Sequence, residues 1–242
     1  LILPSLAQHT VDVAVFSIND FHGAFVRSDH KGIAGAPAVW QTLDSLKRVY
    51  PLNVTVSAGD NFGGSYFYNA TQGVLMPVLF NDLGIRLSAL GNHEFDDGQR
   101  RLAEKWSTSP LRPAGWDIRY VCANVRSTET GRVPEFAQPT AVVEVPVSDN
   151  RRVSIAFEGL IASSTPQQVS VRRIGGLSFD GRYASVVDSV AATSDGKCLK
   201  EATVRLLLTH VGTCMNAKTG EPEWDDRDFA QLARFSSKDW DG

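Results

Sequence analysis

Four short apolar runs that each stop at a polar, metal-competent loop constrain this chain more than anything else in it. Residues 13–18 end in Asn19-Asp20-Phe21-His22-Gly23, and residues 54–57 end in Ala58-Gly59-Asp60-Asn61. Residues 86–90 end in Gly91-Asn92-His93-Glu94-Phe95-Asp96, and residues 204–208 end in Thr209-His210. Near-continuous apolar runs suit strands buried on both faces between helices. In open α/β sheets, ligands gather beyond the carboxyl ends of such strands. Asp20, His22, Asp60, Asn92, His93 and His210 are therefore expected to converge, though they are far apart in sequence. Singly, each has a plainer explanation as a turn former or helix cap. Four loops of the same grammar do not share one.

The longer strings SINDFHG, SAGDNFGG and LGNHEFDDG, with the later Thr209-His210, resemble the calcineurin-like metallophosphoesterases. They are most similar to the branch of secreted 5′-nucleotidases and 2′,3′-cyclic phosphodiesterases. Asn61-Phe62-Gly63-Gly64 stands where the protein phosphatases of that superfamily carry an aspartate-arginine-glycine run, which favours the nucleotidase branch. The resemblance runs from about residue 11 to about residue 232. It implies an α/β (α+β) fold in which two mixed β-sheets pack face to face with helices outside.

The resemblance also implies a ligand set and a chemistry. Asp60 bridges two divalent ions, with Asp20 and His22 on the first and Asn92 and His210 on the second. Zinc, manganese, iron and cobalt all suit carboxylate, imidazole and amide donors. A hydroxide held between the ions attacks phosphorus in line with the leaving group. His93, oriented by Asp96, stabilises the transition state and helps the leaving oxygen depart. Asn61, with Asn92 and His93, is expected to contact the phosphate. The implied substrate is a small nucleotide or other phosphate ester. The alternatives are another phosphoesterase of the superfamily, acting on a cyclic nucleotide, sugar phosphate or phosphoprotein, and a metal-binding domain without catalysis.

The family's last ligands sit in a Gly-His-x-His or Gly-His-x-Gln loop, and no histidine follows His210. The expectation is a fragment of a longer enzyme lacking the last strand or strands and the nucleoside-binding domain. Two other readings stay open: a partner chain or water completes the site, or the scaffold has lost catalysis. Residues 1–10 read as an N-terminal segment and 11–242 as the metallophosphoesterase domain.

Length and composition set outer limits. The 242 residues allow one sizeable α/β domain, and the 43% hydrophobic and 21% charged content is ordinary for a globular chain. A net charge of −3 gives no basic excess for tracking a nucleic-acid backbone. No apolar run is long enough to span a membrane. The oligomeric state is left open. Residues 1–8 start without Met and read either as the tail of a signal peptide or as a processed start. The resemblance favours a secreted, periplasmic or cell-surface location, with the cytoplasm as alternative. Cys122 is expected in the core, and Cys198 and Cys214 in polar loops, with at most one bridge. Asn53 and Asn69 head glycosylation acceptor patterns. Asn53 opens a buried strand, so Asn69, in a loop, is the better candidate.

Apolar spacing predicts helices over 36–50, 71–83, 97–106, 183–192 and 226–235, with Thr71 as a cap and Gly84 as a terminator. Residues 118–125 read as one strand, and 142–147 with 153–157 as a β-hairpin. Residues 165–181 read as irregular, and 212–223 as a polar insertion. His9 and His30 are expected at the surface.

Overall fold

The computed structural model describes residues 10–212, 218–221 and 227–232. Among the described residues nine strands run in chain order: β1 (Ala14–Ile18), β2 (Asn53–Ser57), β3 (Leu87–Ala89), β4 (Arg119–Val121), β5 (Val125–Ser127), β6 (Thr140–Ser148), β7 (Arg151–Ile161), β8 (Leu177–Phe179) and β9 (Val204–His210). The first four form a parallel sheet in the order β1-β2-β3-β4. A second sheet has the order β6-β7-β9. In it β6 and β7 are the antiparallel hairpin expected from sequence, and β9 adds in parallel to β7.

The two sheets pack face to face. Val54, Val56, Leu87, Ala89 and Val121 of the parallel sheet meet Ala141, Val145, Ile155, Phe157 and Leu208 of the other. The outer face of the parallel sheet is covered by a core that includes Leu43, Met76, Phe80, Leu102 and Trp116. The outer face of the second sheet carries Ala156 and Leu160, packed under Tyr183, Val186, Val187 and Val190 of the helix Tyr183–Ala191. The result is a four-layer arrangement with helices outside two sheets. It matches the expected sandwich, with the difference that the first sheet is wholly parallel among the described residues.

Several local expectations give way. The predicted helix over 71–83 is two helices, Tyr66–Thr71 and Met76–Asp82. Gln72 and Gly73 between them are both left-handed, at φ 52° and 69°, and no α-helix continues through that conformation. Thr71 therefore ends a helix instead of capping one. The cap is Ser65, whose hydroxyl accepts from the Tyr68 amide at 2.9 Å. Asn69 lies on this helix, not in a loop, and is exposed.

The predicted strand over 118–125 breaks at Asn124, which is fully buried. Its amide bonds both the N–H and the C=O of Ile161 and also the carbonyl of Asp180. That side chain diverts the backbone into β5, which pairs antiparallel with β8 in a separate two-stranded sheet. Residues 165–181, expected to be irregular, hold two single-turn helices and β8. Cys198 is half-buried on the short helix Lys197–Glu201 instead of in a loop, and Cys122 is buried; both thiols are free. His30 is exposed as expected. His9, Cys214 and most of the predicted polar insertion lie outside the described residues. Among the described residues no helix is long and apolar enough to cross a membrane.

Candidate metal centre

The four loops meet at one end of the sandwich. Three come from the parallel sheet, after β1, β2 and β3. His210 ends β9 and so arrives from the opposite sheet. The β1 and β2 loops run side by side, because Asp20 N–H donates to Gly59 C=O, His22 N–H to Asp60 C=O and Gly23 N–H to Asn61 C=O. Asp20, His22 and Asp60 all have positive φ, at 52°, 49° and 53°. Non-glycine residues held there cost on the order of 1 kcal/mol or more each, and such strain concentrates at functional sites.

Asp60 is the centre of the arrangement and is 3% exposed. Its Oδ1 accepts the His93 N–H at 2.9 Å. Its Oδ2 faces two imidazoles, His210 Nε2 at 3.3 Å and His22 Nε2 at 3.9 Å. Two donor sets share it: Asp20, Asp60 and His210 in one, and His22, Asp60 and His93 in the other. Within each set the ligand atoms lie within 4.8 Å of one another. Asn92 opens the 3-10 turn Asn92–Phe95 and is half-buried. Its side chain makes no hydrogen bond among the described residues.

The ring orientations test whether a cation fits. His22 Nδ1 lies 3.2 Å from Phe62 C=O, and His210 Nδ1 lies 2.8 Å from Ala58 C=O. A carbonyl only accepts, so Nδ1 carries the proton in both rings and Nε2 is left facing carboxylate oxygen. Two lone pairs cannot face each other at that range without a positive charge between them. A proton is one solution. Burial opposes charge on His210, but the hydrogen bond and charge of Asp60 outweigh it and push the pKa up to about 9. The Asp60 carboxyl is likewise held below its usual range: burial pushes it up, and the His210 contact and the His93 N–H together push it down further. A divalent cation is the other solution, and the donor set of carboxylates and carbonyl-oriented imidazoles suits one.

His93 stands beside this cluster. Its ring meets that of His22 edge-on, with centroids 4.7 Å apart. Its Nδ1 lies 2.7 Å from Asp96 Oδ2, and Arg173 Nη1 lies 3.7 Å from Asp96 Oδ1. Burial works against the imidazolium, but the Asp96 hydrogen bond and the charges of Asp60 and Asp96 raise its pKa above the ordinary value.

Asn61 departs from expectation. It is fully buried, with its amide oxygen accepting from Ser57 Oγ and its nitrogen donating to Ser88 Oγ and Glu94 Oε1. A side chain enclosed and bonded in that way braces the loops; a phosphate contact does not fit its position.

Two residues escaped the sequence. Glu94 is 0% exposed and accepts from the backbone N–H groups of Asp60, Asn61 and Gly91, at 2.6 to 2.9 Å. It ties the β2 loop to the β3 loop. Burial and the nearby Asp60 charge raise its pKa, against the three N–H donors. An acidic side chain between two aromatic-flanked motif residues was the available signal. Arg173 comes from the stretch read as irregular and carried no signal.

No family model matches the chain. A cell wall protein of Listeria monocytogenes is 31% identical over 209 residues, covering 75% of this chain and 26% of that protein. An endonuclease of Bacillus subtilis is 27% identical over 232 residues, covering 88% of this chain and 18% of its own length. The chain thus spans about a quarter or less of these two relatives. Among solved structures, a 5′-nucleotidase from Staphylococcus aureus superposes with a TM-score of 0.68 at 20% identity, covering 95% of this chain and 44% of that one. A calcineurin-like phosphoesterase from Bacillus subtilis superposes with a TM-score of 0.64 at 19% identity, covering 91% of this chain and 68% of that one.

Proposed function

From a chain that has the calcineurin-like metallophosphoesterase fold, with that family's motif residues gathered at one site, we propose a metal-dependent hydrolase of phosphate monoesters, nucleotides foremost. The observation that carries this reading is Asp60, a buried carboxylate shared by two donor sets, with the His22 and His210 imidazoles turned toward it by backbone carbonyls. Asp20, His22, Asp60, Asn92 and His210 would hold two divalent ions. Such ions supply a water activated to a pKa of about 7 and screen the phosphoryl charge.

The chain's own residues do the rest. The β3 loop presents His93 to the side of the cluster where a phosphoryl group would sit. Asp96 holds its Nδ1–H, and Arg173 holds Asp96. Against burial, Asp96 and Asp60 raise the His93 pKa, which favours the protonated ring that would donate from Nε2 to the departing oxygen. Such help is worth about 10²–10⁴-fold in rate. Glu94 keeps the Asp60 and His93 loops in register throughout.

The endonuclease among the relatives favours a second reading, in which the same site opens phosphodiesters. The cell wall relative supports action outside the cytoplasm. The test measures divalent ions per chain and turnover on one sample, with AMP, an aryl phosphate and a bis-aryl phosphodiester. Two ions per chain and monoester turnover are expected. Asp60→Asn should lower both, turnover by about 10²-fold or more. Undiminished metal-dependent turnover in Asp60→Asn would sink the proposal, and faster diester cleavage would select the second reading.

A further inference from the structure

The two-stranded sheet β5-β8 is separate from the sandwich, yet it is tied to the candidate metal centre. Its inner face is apolar. Val125, Leu177 and Phe179 pack into the core that covers the parallel sheet, and Phe179 meets Phe95 with ring centroids 5.8 Å apart. Side chains alternate along a strand, so Arg126 and Ser178, which pair across the ribbon, take the other face. The single-turn helix Val171–Ile174, just before β8, carries Arg172 and Arg173. Arg173 reaches the centre through Asp96, with Nη1 3.7 Å from Oδ1. The Gln99 amide donates to Gly175 C=O at 2.7 Å, and Thr128 N–H donates to Gly176 C=O at 2.8 Å. Those bonds fix the helix between the His93 loop and the ribbon.

The charge on this strip runs against that of the chain. Residues 125–132 and 171–182 hold five arginines and two acids, in a chain of net charge −3. One acid, Asp180, is closed in a pair with Arg182 at 2.7 Å. The other, Glu129, stands exposed in the turn after β5. Arg132 and Arg172 are exposed, and their side chains have no partner among the described residues. Arg126 and Arg132 line one cleft of about 980 Å³, with Ser194 and one acid, Asp195, on its wall. Every cation of the strip is an arginine, whose planar fork matches two phosphate oxygens where a lysine offers only a point charge. Five residues lead from Arg173 to Ser178, the partner of Arg126, a span of at most about 18 Å. A few nucleotides of extended strand cover that length.

We propose that this arginine strip is a track for the phosphate backbone of a single-stranded nucleic acid, leading the strand to the metal centre. The inference rests on the phosphodiester reading of that centre, which gives the track a destination. Net charge hides such a surface, because it averages over the whole molecule while the ligand meets one strip. A single strand suits the strip better than a duplex. Its helix has four residues, too few to fill a major groove. The contacts are to phosphate, so the track binds without regard to base sequence.

The experiment is fluorescence anisotropy of a labelled oligothymidylate, titrated with the metal-free 242-residue chain at several salt concentrations. On a single strand, log affinity falls with log salt by about 0.7 per phosphate neutralised. Arg132→Ala and Arg172→Ala change exposed side chains, so both variants should fold. Each should weaken binding about two- to fivefold and lower the salt slope by about 0.7. Arg48→Ala, on the helix Ala36–Val49 and outside the strip, should do neither. No binding, or an unchanged slope in both strip variants, would overturn the proposal. Displacement of the oligonucleotide by polyglutamate at equal charge would overturn it as well, since the strip would then suit an acidic protein. A second arm compares the oligonucleotide with a bis-aryl phosphodiester in the manganese-loaded chain. The two strip variants should raise KM for the oligonucleotide and leave the small diester unchanged, and equal changes for both substrates would overturn the track. Absent turnover of both substrates in the native chain would count against the hydrolase reading alone, because the anisotropy arm decides the strip separately.

Discussion

Gly91 contributes the side chain it lacks. A Cβ built there would lie 2.1 Å from Asp60 Oδ1 and 2.6 Å from the Asp60 amide nitrogen. Its φ of −109° is open to any residue, so the requirement is space, not backbone freedom. Gly91→Ala must push Asp60 off the His93 N–H or open the β3 loop. We expect divalent-ion affinity to fall by about 10–100-fold, the usual range when a ligand's support is displaced. Calorimetric titration with manganese or zinc checks this, and unchanged affinity would mean that Asp60 is not a ligand. At this scale, residues that meet solvent were legible from their type and spacing, as with Asp20, His22 and His210. Residues that act by being buried were not. Asn61 and Glu94 sit in the same motifs, but only packing separates a braced amide from a phosphate contact.

Strand β7 carries an element-scale problem. Glu158 is fully buried, and neither carboxyl oxygen has a hydrogen-bond partner among the described residues. Burial and the charge of Asp188 push its pKa up to about 8. An unfolded glutamate ionises near 4.5, so the folded state holds a proton that the unfolded state has lost. Stability from this group is complete below pH 4.5, declines as pH rises from there to about 8, and is constant above. The decline is at most about 1.4 kcal/mol per pH unit. Glu158→Gln removes the titration. Urea denaturation at pH 5 and pH 8 should show a smaller loss of stability for the variant. Equal losses would mean that Glu158 is paired or hydrated in solution. An apolar strand with one glutamate looks unremarkable in sequence, since pairing within a buried layer is invisible there. The left-handed pair Gln72-Gly73 was hidden for a related reason. Helical spacing continues through it, and only the packed ring of Tyr68, 2.5 Å from where a Gly73 Cβ would be, shows why position 73 has to be glycine.

At the scale of the whole molecule, the centre is a seam. Asp20, His22, Asp60 and His93 belong to loops of the parallel sheet, whereas His210 ends β9 of the other sheet. The strand-end rule predicted this convergence from sequence. It could not predict the division between sheets, because β2 and β9 are apolar runs of the same kind. That division has a physical consequence: an ion held by Asp60 and His210 links the two layers, and the unfolded chain has no such site. Binding to the folded state alone stabilises by RT ln(1 + [L]/Kd), about 2.7 kcal/mol at a hundredfold excess over Kd. Saturating manganese or zinc should therefore raise Tm, a chelator should reverse the rise, and His210→Ala should remove most of it. Asp20→Ala should remove less, since that residue is exposed and stays within one sheet. The rise should also depend on pH. With a pKa of about 9, His210 in the metal-free protein keeps a proton that the ion must displace, so ion-induced stabilisation grows as pH rises toward 9. Thermal melts with and without ion at pH 6, 7.5 and 9 measure it directly. A shift that is flat across those three values, or that survives in His210→Ala, would place the ion elsewhere and leave the seam to apolar packing.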